Sequence, residues 1–341
     1  MKKKILIFSI DRLGDYLIRS NVIYKLSKNF DFTEIVASDK NFELLNLQSF
    51  FDKVHRFNAK NKILEKFIFV KSFLFKSYDT VIVFDGKNIS NLLLFLIKAK
   101  FKFTFIYKKK KNINKINFFI LKLFYYIFNI KYVVLNNRYI IEKGEPDNYP
   151  LKYLSLSQFF KNIDNKTYYL EKNNTSIFSN IKNSYIVIHL DEKYNDIIDI
   201  HENFDYSLKK FSRQIDKKLI ITSYNNNYNY YKNLDILKRN SSSFSPVDLE
   251  INKMIIIENL KIDEFQDLIE NSYCNISCHS GYFVHTSLAF NNKTLDIINH
   301  SDLSWLQTWV NYKKNYKIIF KSKDKHMINI GKILELVKNE I

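Results

Sequence analysis

Short apolar, β-rich runs alternate with longer amphipathic ones from one end of this 341-residue chain to the other. That alternation points to parallel α/β architecture, because each strand must be followed by a crossover long enough to return to the same edge. In the first half the strands are read at "KILIFSI", "TEIVAS", "DTVIVFD", "FTFIY" and "KYVVLN". Between the first two, "GDYLIRSNVIYKLSKN" repeats Ile18, Val22, Ile23 and Leu26 at helical spacing and predicts one amphipathic helix. Over residues 142–183 the pattern lapses into polar, loop-like sequence holding two of the three prolines. A second series then begins: "SYIVIHL", "KLIITSY", "KMIIIEN", "CNISC", "TLDII" and "YKIIF". The chain therefore divides into an N-terminal domain over 1–165, a C-terminal domain over 183–325 and a final helix over 326–341 able to pack on either. A length beyond what one core usually supports agrees with two domains. Two doubly wound domains facing one another place the carboxyl ends of both sheets around a shared crevice, where open α/β sheets bind ligands.

Charge is spread unevenly. Residues 1–150 hold 28 Lys and Arg against 13 Asp and Glu, so nearly all of the formal charge of +18 lies there. Either that half meets an anionic partner, such as nucleic acid, phospholipid headgroups or a phosphorylated acceptor, or the excess is a solvated surface of a chain biased toward Lys. Cys274 and Cys278 form no disulfide framework, and a CxxxC pair lacks the further ligands of a structural zinc, so reduced thiols and a cytoplasmic location are expected. The start "MKKKILIFSID" mimics a secretory signal, but its apolar run ends after six residues. No stretch reaches the roughly 18 apolar residues of a membrane span; "NFFILKLFYYIFNI", the nearest approach, carries Lys122.

Three loops at strand ends carry candidate chemistry. "SIDRLGDYL" closes the first strand and opens the first helix; Gly14 there permits a tight turn, and Asp15 is either a helix cap or a general base aimed at a hydroxyl proton. "NISCHSGYFVHTSLAF" repeats strand, turn and helix in the second half. Ser280 and Gly281 then offer amides and a hydroxyl suited to phosphate, or else form a plain turn. His279 and His285 are six residues apart and do not share a helical face, so no metal is expected. "IVIHLDEKYND" presents Lys193, either to a diphosphate or to solvent as part of a charged loop, and "DGKNIS" brings Lys87 to the end of the strand before it. Walker A, GxGxxG and GxSxG patterns are all absent, which removes the common NTPase, dinucleotide and hydrolase readings.

Taken together, "KILIFSIDRLGDYLIRSNVIYKL", "YDTVIVFDGKNISNLLLFLIKAKFK" and "DLIENSYCNISCHSGYFVHTSLAF" resemble glycosyltransferase family 9, the lipopolysaccharide heptosyltransferases. The resemblance implies the GT-B architecture, two Rossmann-like domains about a cleft, with acceptor bound mainly by the first domain and nucleotide-sugar by the second. It implies sugar transfer with inversion, no cofactor and no essential metal. Asp15 matches the family's catalytic base; Arg12, Gly14 and Lys87 fall on its acceptor side; Lys193, Ser280, Gly281 and His285 match its donor side. Three positions depart from the family pattern: His279 replaces an Asp, the interval from Gly281 to His285 is one residue longer, and "TSYNNNYNYY" lacks the usual Gly and Glu.

The function implied is transfer of a heptose or related sugar from a nucleoside diphosphate to a lipopolysaccharide or other cell-surface glycan of a bacterium, with peripheral contact at the inner membrane surface. "KINFFILKLFYYIF" either touches that lipid or is core. Two other classes remain open: a GT-B-like protein that binds nucleotide without catalysis, and a basic nucleic-acid-binding protein. The latter has no RNP-like, helix-turn-helix or zinc motif to organise contacts, and nucleic acid is not expected as a partner.

Overall fold

A computed structural model describes residues 2–58, 60–108, 122–136, 148–164, 168–171, 177–189, 198–199, 204–223, 236–278, 281–308, 310, 315–320 and 328–341. The chain forms two compact units, one of Met1–Glu171 with Ser304–Asn311 and one of Lys172–Leu303 with Tyr312–Ile341.

The N-terminal unit is built on a six-stranded parallel sheet: β1 (Lys4–Ser9), β2 (Phe32–Ser38), β3 (Lys53–Phe57), β4 (Ser77–Val83), β5 (Lys98–Lys108) and β6 (Ile130–Asn136). Their order is β3-β2-β1-β4-β5-β6, with Phe8 of β1 level with Val36 on one side and Val83 on the other. Central strands of such a sheet are covered on both faces, which is why β1 carries a continuous apolar run and Ile5, Leu6, Ile7 and Phe8 have no exposed surface. Strand order reverses between β1 and β4. That is the switch point where two crossovers part and leave a crevice at the carboxyl ends of the strands.

The crossovers hold α1 (Leu13–Leu17), α2 (Ser20–Ser27), α3 (Phe42–Asn46), α4 (Ile63–Leu74) and α5 (Asn88–Leu96). The single helix read between β1 and β2 is thus two. Arg19 leaves helical geometry with φ −116° and ψ 4°, and its side chain is withdrawn into the interior instead of continuing the amphipathic face. Ser304–Asn311 joins this unit through aromatic and backbone contacts: Trp305 packs edge-on against Tyr149 at 5.9 Å, and the Tyr149 amide donates to the Thr308 carbonyl at 2.9 Å.

The second unit has a seven-stranded parallel sheet of β7 (Tyr185–His189), β9 (Lys218–Ser223), β10 (Leu237–Asn240), β11 (Met254–Glu258), β12 (Cys274–Ser277), β13 (Thr294–Ile298) and β14 (Tyr316–Phe320). A separate two-stranded ladder pairs β8 (Ile198–Asp199) with β15 (Ile328–Asn329). The large sheet runs β10-β11-β9-β7-β12-β13-β14 and reverses between β7 and β12. The closing helix Ile330–Lys338 belongs to this unit, where Leu334 and Val337 enter the core with Leu208 and Phe211.

Candidate active site

At the switch point of the first sheet, the ends of β1 and β4 each release an acid immediately after an apolar run: Asp11 and Asp85. Both are buried, which an isolated carboxylate resists, so each must be satisfied locally. Asp85 accepts hydrogen bonds from the Ile10 amide (2.9 Å), the Lys87 amide (2.8 Å) and the Ser90 hydroxyl (2.9 Å). It therefore ties the end of β1 to the first turn of α5. Burial, and after it the charge of Asp11, pushes its carboxyl above the usual carboxylate range against those donors.

Asp11 is paired with Arg19, whose Nη2 donates to its carboxylate. The same nitrogen donates to Ser9 Oγ at 3.0 Å, and Nη1 donates to the Phe84 carbonyl at 3.2 Å. The guanidinium lies 5.5 Å from the centre of the Phe84 ring and has no exposed surface. One cation thus fastens β1 to the end of β4 from beneath. Ser38 Oγ and Asn41 complete the fastening on the β2 side, donating at 2.7 Å to the carbonyls of Asp11 and Ser9.

Above this network, Asp15 stands in the first turn of α1. Solvent reaches its side chain, unlike those of Asp11 and Asp85. The protein around it still leaves its carboxyl with less water than a free side chain has, and this raises its pKa. The Asp11 charge raises it further, while Arg19 and Arg12 oppose. The Arg12 amide donates to Asp15 at 3.4 Å, a long, weak cap. Both sequence readings of Asp15, cap and base, are therefore compatible with one position: a loosely held carboxylate, open to solvent and more basic than a free one.

Gly14 does not make the turn expected of it. The bend between β1 and α1 is carried by Arg12 in extended backbone (φ −81°, ψ 165°), and Gly14 is the second residue of α1. Left-handed backbone falls to Gly86 instead, at φ +60°. A Cβ there would lie 2.7 Å from the Phe105 carbonyl oxygen and 2.7 Å from the Tyr107 ring. Gly86→Ala should therefore cost about 1–3 kcal/mol from backbone strain alone, with the clash adding to it; a denaturant midpoint unchanged from wild type would contradict this. Arg12 and Lys87 both project from the rim as exposed side chains.

The switch point of the second sheet is flanked by His189 at the end of β7 and by Ser277 on β12, which are level with each other. His189 is buried, with Nδ1 3.0 Å from Thr222 Oγ1 and its ring stacked on Phe283 at 4.9 Å. Helix Gly281–Ala289 opens beside them. Among the described residues, a Cβ added at Gly281 meets nothing within 4 Å. His285 lies one turn further in and is buried, 2% exposed, so its ring is not presented at a surface as a donor ligand would be. Lys193, His279 and Ser280 lie outside the described residues. Cys274 and Cys278 are free thiols, and burial pushes Cys274 up to about 12 and Cys278 well above the ordinary value. Among the described residues no group of three or more His, Cys, Asp or Glu is placed to hold a metal ion.

Asp11, Arg19 and Asp85 are the residues that sequence reasoning passed over. The two acids carried a signal, an ionisable group directly behind a buried strand, whereas Arg19 is hidden in what reads as an amphipathic helix.

No protein-family model matches the chain, and no curated protein matches it. Solved structures do. The chain is similar to a glycosyltransferase family 9 protein from Veillonella parvula, with TM-score 0.65 and 12% identity over 93% of this chain and 86% of that one. It is similar to the heptosyltransferase WaaC of E. coli with ADP, with TM-score 0.69 and 10% identity over 99% and 100%. A UDP-GlcNAc 2-epimerase from Methanocaldococcus jannaschii matches with TM-score 0.53 and 17% identity over 100% and 92%. The chain thus has the GT-B fold of the glycosyltransferase family 9 structures, built from two Rossmann-like units.

Proposed function

We propose that this chain is an inverting, metal-independent glycosyltransferase that moves a sugar from a nucleoside diphosphate to a hydroxyl of an anionic cell-surface glycan or glycolipid. The observation that carries this reading is Asp15: a solvent-open carboxylate of raised pKa at the switch point of the first sheet, in a fold shared with glycosyltransferases. An acceptor hydroxyl reaching Asp15 gives its proton to the carboxylate as its oxygen forms a bond to the anomeric carbon. The bond from that carbon to the diphosphate breaks on the opposite side, and its electron pair leaves on the diphosphate oxygen. Attack from the face opposite the leaving group inverts the centre. Asp15 later returns the proton to water. The carboxylate is suited to this step because a base of raised pKa takes a proton more readily, up to the pH at which it stops being ionised.

Charge built up on the diphosphate is offset in this reading by the second unit. The backbone amides of the first turn of helix Gly281–Ala289, the Ser280 hydroxyl and Lys193 are the groups proposed for it. The excess of cations in residues 1–150 supports an anionic acceptor. The heptosyltransferase solved with ADP makes ADP the first nucleotide to try.

The donor half is tested by calorimetric titration with ADP, GDP, UDP and CMP in the presence of EDTA. One nucleotide should bind selectively, with affinity weakened about tenfold or more by Lys193→Ala and spared by Asp15→Ala. If none binds, the proposed donor site is wrong. The departures at His279 and in the Gly281–His285 interval favour a second reading, a nucleotide-binding protein without transfer; unimpaired binding with no turnover for any sugar donor would select it.

A further inference from the structure

The two faces of the first sheet are covered very differently. Right-handed crossovers place α4, α5 and the helical residues 122–127 on one face, because all three precede strands that lie on the same side of β1 in the order β3-β2-β1-β4-β5-β6. Their inward side chains confirm it: Phe73, Leu93, Leu94 and Tyr125 share one core cluster with Leu6 and Phe8 of β1. The outward side chains of these helices are also apolar. On α4 the exposed positions recur at helical spacing, Leu64, Phe67, Ile68 and, just past the helix, Phe75, each at least 60% exposed. On α5 Leu92 and Leu96 follow the same rule, and beyond them Tyr126 and Ile127 are 84% and 64% exposed. Phe95 of α5 joins the last two helices, with Phe128 at 5.2 Å and Phe124 at 6.2 Å. Across the opposite face, among the described residues of α1 to α3 and their ends, the exposed large hydrophobic is Leu47, at 38%.

An apolar surface of this extent is an interaction site rather than an accident of composition. Its surroundings name the partner. Residues 60–76, 88–102 and 122–128 carry nine lysines against one acid, Glu65, so the helices' apolar crests stand among cations. Lys62, Lys71 and Lys122 are exposed beside them. Large apolar side chains set among lysines match the layered chemistry of a lipid surface, acyl chains beneath anionic headgroups; a second protein chain would need acids opposite these lysines, and this chain has few on its N-terminal half. No helix of the described residues is long and apolar enough to cross a membrane.

We propose that α4, α5 and residues 122–128 form a docking surface for an anionic lipid bilayer, lying in its headgroup layer. This stands independently of the reaction proposed above, since it uses none of the site residues. The whole chain should sediment with vesicles of phosphatidylcholine containing about 30 mol% phosphatidylglycerol and much less with phosphatidylcholine alone, and raising salt from about 50 to about 300 mM should weaken the association. Phe67→Glu with Ile68→Glu should lower partitioning about tenfold or more. Leu92→Glu with Leu96→Glu should do the same from a different helix, and Leu47→Glu should leave it unchanged. All five side chains are exposed, so the far-ultraviolet circular dichroism of each variant should match that of the wild type. Absence of sedimentation with anionic vesicles at low salt would overturn the proposal, as would wild-type binding by both apolar-face variants. Sedimentation velocity showing a dimer that either variant disperses would assign the face to a second copy and overturn it too.

Discussion

Replacing Arg19 by Met is expected to destabilise the protein by about 3–5 kcal/mol, the largest stability effect of any single substitution considered. The reason is asymmetric. Arg19 is fully buried and pairs with the Asp11 carboxylate at the end of β1, while it also donates to Ser9 Oγ and to the Phe84 carbonyl. Met fills similar volume and keeps the apolar stem, so the loss measured is that of the head group and of the carboxylate left without a partner. Pairing Arg19→Met with Asp11→Asn should recover part of the loss, because the stranded charge is removed along with its partner. Urea denaturation of the three variants measures both effects. A loss below about 1 kcal/mol for Arg19→Met, the range of an exposed ion pair, would mean that the pair does not carry the charge as the geometry indicates.

Asp15→Asn is expected to lower turnover about 10²–10⁴-fold while leaving nucleotide affinity unchanged. Asn keeps an oxygen for the Arg12 amide, so α1 should form as before. The pH dependence carries a second signature. Asp15 works as a base only when ionised, and its pKa in the folded protein is raised, first by the protein around it and next by Asp11. Turnover should therefore fall on the acid side through a limb lying above the ordinary carboxylate range, and residual activity of Asp15→Asn should lack that limb. Stability moves the other way. A carboxyl whose folded pKa is raised contributes stability below its unfolded pKa and loses it as pH rises through the folded value, so the ionised Asp15 is a burden at neutral pH. The neutral Asn should melt no lower than wild type at pH 7 and relatively less favourably in acid. An inactive variant that also unfolds at lower temperature at pH 7 would point to a structural role in place of a catalytic one.

Much of the fold was legible because central strands of parallel sheets are buried on both faces. "KILIFS", "TVIV", "YIVIH", "KLIIT" and "MIIIE" read as apolar runs for that reason and are strands β1, β4, β7, β9 and β11. Strands β3 ("KVHRF") and β10 ("LKRN") were not read, and both are sheet edges, where one side lacks a neighbouring strand and polar side chains are tolerated. Of the site, Asp15, Gly281 and Lys87 were legible as punctuation between strand and helix. Gly14 was misread because spacing cannot tell a turn from the second residue of a helix, and the positive φ at Gly86 became visible only with Phe105 and Tyr107 packed against it.

Sequence by itself determined the alternation of strand and crossover, and with it two parallel sheets whose carboxyl ends gather the chemistry, because periodicity and burial are local properties of a run of residues. Only the tertiary structure decided that Arg19 would leave the helical pattern to neutralise Asp11, that Ser304–Asn311 would return to the first unit through Trp305, and that the helices covering one face of the first sheet would be apolar on both sides. Each of these depends on which residues distant in the chain become neighbours, and the free energy of burying a charge or exposing a phenylalanine is set by those neighbours rather than by the residues adjacent in sequence.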